Sequence, residues 1–162
     1  MTSESIVAAL VERGLTIAVA ESLTGGMLVS ELISTPGASA TVVGGIVAYD
    51  TALKHSLLGV DADLLARSGP VDPVVAQQMA DRVRRACAVD GRPADVGLST
   101  TGVAGPDPQG GQSVGTVYLG FAVGDEVYSR RLELAGDRQA IRSAAVYESL
   151  AELERLLLRH GE

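Results

Sequence analysis

The sequence predicts an α/β fold: a single three-layer α/β/α domain over residues 1–162, built on a mixed sheet. Three observations carry this. Short apolar runs alternate with helical patterns as far as residue 102. Two further strand patterns then follow one another across Gly124-Asp125, a two-residue hairpin signal. One long helical pattern closes the chain. Strand–helix alternation implies parallel strands and a hairpin implies antiparallel ones, so the sheet is expected to combine both.

In chain order, Ser5 to Arg13 reads as an amphipathic helix with Ile6, Val7 and Leu10 on one face, stopped by Gly14. LTIAVAE is a continuous apolar run, as in a strand buried on both sides. GGMLVSELISTPG is helical and ends at Pro36-Gly37. TVVGGIVAYD reads as a second buried strand, with Gly44 and Gly45 where another backbone approaches closely. Two short helices are expected over 51–58 and 61–67, joined by Gly59. A longer helix from Pro73 to Val89 starts after Asp72, an N-cap followed by proline at the first helical position. ADVGLSTTG is a third strand, followed by a Gly/Pro-rich loop over 102–114. GTVYLGFAV and EVYSRRLEL form the hairpin, and Asp137 caps a final helix from Arg138 to Arg159.

Composition narrows the function classes. A chain of 162 residues can bury a real core, but with no Trp and one Phe that core is aliphatic. A net charge of −7 argues against general nucleic-acid binding, while leaving room for a local basic pocket. No apolar run approaches the ~20 residues of a membrane span, and the N-terminus lacks a signal-peptide pattern, so a soluble cytoplasmic protein without membrane association is expected. His55, Cys87 and His160 are scattered, so no metal site is expected. Cys87 reads as a buried structural thiol.

Candidate chemistry begins with Lys54, the only lysine beside twelve arginines. Arginine stays protonated in proteins, whereas lysine can surrender its proton, so a lone lysine in an arginine-preferring chain is a proton-transfer candidate. Ser22, Thr24, Gly25 and Gly26 lie where a buried strand turns into a helix. That junction suits an anion or a developing oxyanion, although standing alone it favours simple capping by Ser22 or Thr24. Tyr49 and Lys54 flank the end of the second strand. Thr101, Gly102 and Gly105 follow the third. Three strand ends therefore point to one crevice, where open α/β sheets bind ligands. Arg138 and Arg142, one helical turn apart, are spaced to grip a phosphate, or to pair with surface carboxylates.

Five ordered motifs, AESLTGG, GGIVAYDTALKHSLLGV, TTGVAGP, VGTVYLG and GDRQAIR, resemble those of the CinA C-terminal domain family across about residues 5–158. Stand-alone members of that family include nicotinamide mononucleotide amidohydrolases. The resemblance implies hydrolysis of the nicotinamide carboxamide to nicotinate mononucleotide and ammonia, in pyridine nucleotide salvage, without cofactor, by a protein that is usually a homo-oligomer. Some relatives carry this domain behind a larger pyrophosphatase-like domain, which is not expected here. The resemblance places the nucleophile on Ser22, the catalytic lysine on Lys54, and further catalytic roles on Tyr49 and Thr101. It also places the two motif arginines on Arg138 and Arg142. We expect a Ser/Lys amidohydrolase in which Lys54 activates Ser22, backbone N–H groups near Gly25 and Gly26 hold the oxyanion, and the arginines hold the 5′-phosphate. The family commonly has Ser-Asn after the tyrosine, where this chain has Asp50-Thr51, and Val-Ser before the long helix, where the second residue is Asp72. The Asp50 carboxylate favours the alternative, a catalytically silent nucleotide-binding or interaction module.

Overall fold

A computed structural model describes residues 3–159. The elements are α1 (Ser3–Glu12), β1 (Ile17–Glu21), α2 (Met27–Ile33), a 3-10 turn (Ala38–Ala40), β2 (Val42–Val47), α3 (Thr51–Ser56), α4 (Ala62–Ser68), α5 (Pro73–Ala86), β3 (Val96–Gly102), β4 (Thr116–Val123), β5 (Glu126–Glu133) and α6 (Arg138–Arg159). The strands form one sheet in the order β2-β1-β3-β4-β5. β1 pairs parallel with both β2 and β3, whereas β4 runs against β3 and β5 against β4. The mixed α/β architecture expected from the sequence is present, and residues 1, 2 and 160–162, His160 among them, lie outside the described range.

Successive strand residues face opposite sides, and the two sides differ in size. One side carries Val19, Leu98, Leu119 and Phe121, packed against Ile6 and Leu10 of α1, Leu28 and Leu32 of α2, and Ile141 and Leu153 of α6. The other side carries Ala18 and Ala20, under Leu64 and Leu65 of α4 and Val75, Met79 and Val83 of α5. In register with those alanines run Gly97 and Ala122, then Ser99 and Gly120. This patch of small residues lets α5 lie almost on the sheet backbone. A Cβ on Gly97 would collide with Ala80 O, and one on Gly120 with Ala76 O. Ser99 Oγ donates to that same Ala76 carbonyl at 2.6 Å. The scarcity of aromatics is thus the composition that close packing requires. Gly97→Ala is expected to destabilise the fold by about 1–3 kcal/mol through overpacking, seen as a lower urea midpoint with an unchanged slope.

Caps sit where expected. Asp72 Oδ1 accepts from Val74 N and Val75 N, and Asp137 Oδ1 accepts from Ala140 N. Gly124, with φ of 57°, turns the β4–β5 hairpin. Two expectations need correction. The segment 41–50 is not buried on both sides: β2 is an edge strand, and Val47 is 44% exposed. An apolar β-branched run reports strand conformation, but the number of neighbours follows from strand order, which is a tertiary property. The helix from Pro73 also ends earlier, at Ala86, leaving Cys87 at its C-terminal cap and half-buried; that burial pushes the thiol pKa up.

Candidate active site

Because β1, β2 and β3 run parallel, their carboxyl ends share one edge of the sheet. Ser22 follows β1, Tyr49 follows β2, and Thr101 and Gly102 end β3. A cavity of about 580 Å³, counting its open mouth, lies there. Seven of the eleven residues singled out from the sequence line it: Ser22, Tyr49, Lys54, Thr101, Gly102, Gly105 and Arg138. Thr24, Gly25, Gly26 and Arg142 are not part of its wall.

Lys54 reaches the wall from α3. Asp50 starts that helix, its Oδ1 accepting from Ala52 N at 2.8 Å. This start aims the side chain one turn on back toward the strand ends, where it is 1% exposed. Lys54 Nζ lies 3.0 Å from Ser22 Oγ, 2.7 Å from Ala48 O and 3.4 Å from Tyr49 O. An ammonium's three protons would occupy all three oxygens. A free amine would keep its two N–H bonds on the carbonyls and turn its lone pair to the Ser22 hydroxyl. Burial lowers the Lys54 pKa from 10.5 to about 8, against a smaller opposing pull from the Asp50 carboxylate. Asp50 itself does not line the cavity, and its role as the α3 cap accounts for its presence.

Ser22 is held by the continuation of the β1–β3 ladder, its N–H donating to Thr100 O at 3.0 Å. Behind it, the Thr24 and Thr100 hydroxyls are 2.7 Å apart and buried, so Thr24 braces the turn from the protein side. Gly25 and Gly26 adopt φ of 58° and 101°, and the Gly25 N–H is used on Ser22 O. Both are conformations that glycine adopts without a steric penalty. The start of α2 is occupied as well: the Glu21 carboxylate accepts from Leu28 N at 2.8 Å and Val29 N at 3.0 Å. The anion suited to this junction is therefore supplied by the chain itself, a role the sequence analysis did not assign to Glu21.

The remaining candidates divide clearly. Thr101 Oγ1 donates to Pro70 O at 2.6 Å, tying β3 to the segment before α5. Arg138 donates to Gly105 O at 2.6 Å and to the Tyr49 hydroxyl at 3.0 Å, while the Tyr49 ring stays 60% exposed at the rim. Arg142 turns the other way, donating to Leu23 O at 2.8 Å and Thr24 O at 3.4 Å. Asp107 and Gln109 also line the cavity, although neither was singled out. Their place in the loop after the third strand end was the available signal. Among the described residues, no set of His, Cys, Asp or Glu side chains is arranged to hold a metal, and no helix is long and apolar enough to cross a membrane.

Comparison with known proteins agrees with this architecture. A family model described as the CinA C-terminal domain matches residues 1–157. A CinA-like protein of Frankia casuarinae is 48% identical over 148 residues, which are 91% of this chain and 33% of that protein. A putative competence-damage inducible protein of Geobacillus kaustophilus is 48% identical over 134 residues, 82% of this chain and 31% of that protein. The chain thus spans about a third of the length of these curated relatives. The crystal structure of a CinA superfamily protein from Enterobacter cloacae superposes with a TM-score of 0.90 at 31% identity, covering 96% of this chain and 89% of that one. One from Escherichia coli gives a TM-score of 0.86 at 30% identity, covering 97% and 90%. With a family model matching residues 1–157 and the fold shared over 96% of the chain with a CinA superfamily structure, the chain belongs to the CinA C-terminal domain family.

Proposed function

We propose that this chain is an amidohydrolase that converts nicotinamide mononucleotide to nicotinate mononucleotide and ammonia by a Ser/Lys mechanism, in pyridine nucleotide salvage. The observation that carries it is the buried Lys54 amine 3.0 Å from the Ser22 hydroxyl, in the wall of a cavity that also presents Arg138. A serine hydroxyl is a weak nucleophile near neutral pH and needs a base within hydrogen-bond reach. An amine with a pKa of about 8 is free in about one molecule in ten at pH 7, against about one in three thousand for an ordinary lysine.

Lys54 takes the Ser22 proton as Oγ bonds to the carboxamide carbon. The C–N bond then breaks as the Lys54 ammonium gives that proton to the leaving nitrogen, which departs as ammonia. Water attacks the ester carbon and passes a proton to Lys54, which returns it to Ser22 Oγ as the ester C–O bond breaks, releasing the nicotinate product and restoring Ser22. For the oxyanion we assign the Leu23 N–H in place of those at Gly25 and Gly26. Leu23 follows the nucleophile directly, lines the cavity, and its N–H has no partner among the described residues. Tyr49 and Thr101 orient the carboxamide from the rim and floor, and Arg138 meets the phosphate. The resting contacts of Arg138 with Gly105 O and Tyr49 Oη hold its guanidinium at the cavity edge before substrate arrives.

Ammonia release from nicotinamide mononucleotide by the purified protein tests the activity. Tight calorimetric binding without ammonia would instead support the silent nucleotide-binding module. The pH profile is a second check. The active form of the base is the free amine, which exists above its pKa, so kcat/KM should rise with pH, with a midpoint near 8, and level off above it. A profile flat from about pH 6 to about pH 10 would remove Lys54 from the role of base.

A further inference from the structure

The two arginines of α6 are spaced to act as a pair, yet their side chains part. Arg142 commits three sides of its guanidinium to the protein: Nε to Leu23 O, Nη2 to Thr24 O, and Nη1 to Gln139 Oε1 at 3.2 Å. It does not line the cavity. The turn it grips is the one that presents Ser22, and the grip is close: a Cβ on Gly25 would lie 3.4 Å from Arg142 Nη2. Arg138 faces the cavity and ties the other two strand ends together through Tyr49 Oη and Gly105 O. A single turn of α6 therefore pins all three junctions, with Arg142 assigned to the one that carries the nucleophile.

We infer that Arg142 is a positioning residue for the Ser22 nucleophile, not a ligand for the substrate phosphate, and that Arg138 alone of the pair meets that phosphate. This rests on the Ser/Lys reading of the site. The physical reason is the tolerance of the Lys54–Ser22 contact. Ser22 sits at the start of a turn containing two glycines with positive φ, which by itself holds position weakly. The Leu23 and Thr24 carbonyls, one and two residues beyond the nucleophile, are fixed by a planar, permanently charged donor. Releasing them lets Oγ drift from the amine, and a displacement of about 1 Å costs on the order of 100-fold in rate. Leu23 O also belongs to the peptide that follows the assigned oxyanion donor, so the same release loosens that donor.

The experiment compares Arg142→Gln, Arg142→Lys and Arg138→Gln in two assays. The first is steady-state ammonia release from nicotinamide mononucleotide. The second is the rate at which methanesulfonyl fluoride labels Ser22, followed by intact mass. In labelling, Ser22 Oγ bonds to sulfur, the S–F bond breaks, fluoride leaves and the hydroxyl proton passes to Lys54. This probe carries no nucleotide phosphate, so it reads the nucleophile alone. Arg142→Gln should lower kcat about 100-fold with KM within about threefold, and should slow labelling by a similar factor. Arg142→Lys, which keeps the charge and can reach one carbonyl, should recover about tenfold of that loss, and it carries the test if the glutamine variant does not fold. Arg138→Gln should raise KM at least about tenfold while labelling stays within about threefold of wild type. Wild-type labelling rates in Arg142→Gln, or a loss confined to KM, would overturn the positioning role and leave the Ser/Lys reading standing. A wild-type protein that neither releases ammonia nor is labelled at Ser22 would overturn both.

Discussion

Lys54→Arg is expected to lower kcat for nicotinamide mononucleotide by about 10²–10⁴, the range that general-base catalysis supplies. The substitution keeps the positive charge, so long-range attraction for an anionic substrate is retained and KM should change far less than kcat. What it removes is the lone pair. A guanidinium cannot surrender its proton in a protein, so the side chain at position 54, whose amine lies 3.0 Å from Ser22 Oγ, would no longer be able to accept one. The rising limb near pH 8 should vanish with it, because the group that sets that limb is gone. Turnover within a few-fold of wild type would defeat the base assignment outright.

Ser22→Ala should have the larger effect, a fall of about 10⁴–10⁶ in kcat, as when the nucleophile of a covalent hydrolase is removed. The backbone would barely notice, because Ser22 is placed by its own N–H on Thr100 O and its neighbours are held by Arg142 and the Thr24–Thr100 hydroxyl pair. Wild-type protein quenched during turnover should carry a nicotinoyl ester on Ser22 detectable by mass, and the variant should carry none. Retained activity in Ser22→Ala would mean that water attacks directly, and it would turn Lys54 from the activator of a side chain into the activator of solvent.

Burial connects these two expectations. A lysine that is 1% exposed, with no carboxylate of the described residues in direct contact, is an unfavourable place for a charge. Ala48 O and Tyr49 O satisfy it as an amine, and Asp50 softens the penalty through space while serving as the α3 cap. The arrangement leaves the group poised near its own titration point instead of locked in either form, which is what a base that must later act as an acid requires.

Much of this was readable in the residues in order. The lone lysine, the three strand ends rich in hydroxyl and glycine, the Asp72 and Asp137 caps and the Gly124-Asp125 hairpin all express local chemistry: a proton that can leave, a side chain that bonds its own backbone, a φ that only some residues tolerate. Local rules of that kind act within a few residues, so a sequence displays them. They also sufficed for the mixed sheet, because strand–helix alternation followed by a hairpin leaves few topologies.

The direction in which a side chain leaves its element is a different matter. Arg138 and Arg142 are one turn apart and look equivalent along the chain, yet one meets the cavity and the other the back of the Ser22 turn. Gly25 and Gly26 shape that turn without lining the cavity, and Glu21 fills the helix start that the sequence left open to an anion or to a capping hydroxyl. β2 became an edge strand, and the loop after β3 brought Asp107 and Gln109 to the cavity wall. Each of these outcomes depends on which surface lies across a gap, and so on how helices pack on the sheet. The sequence by itself offered the candidate groups; only the tertiary structure decided which of them face one another, because hydrogen bonds such as those of Lys54 to Ser22 and Arg142 to Leu23, across 32 and 119 positions of chain, are set by packing that no local pattern records.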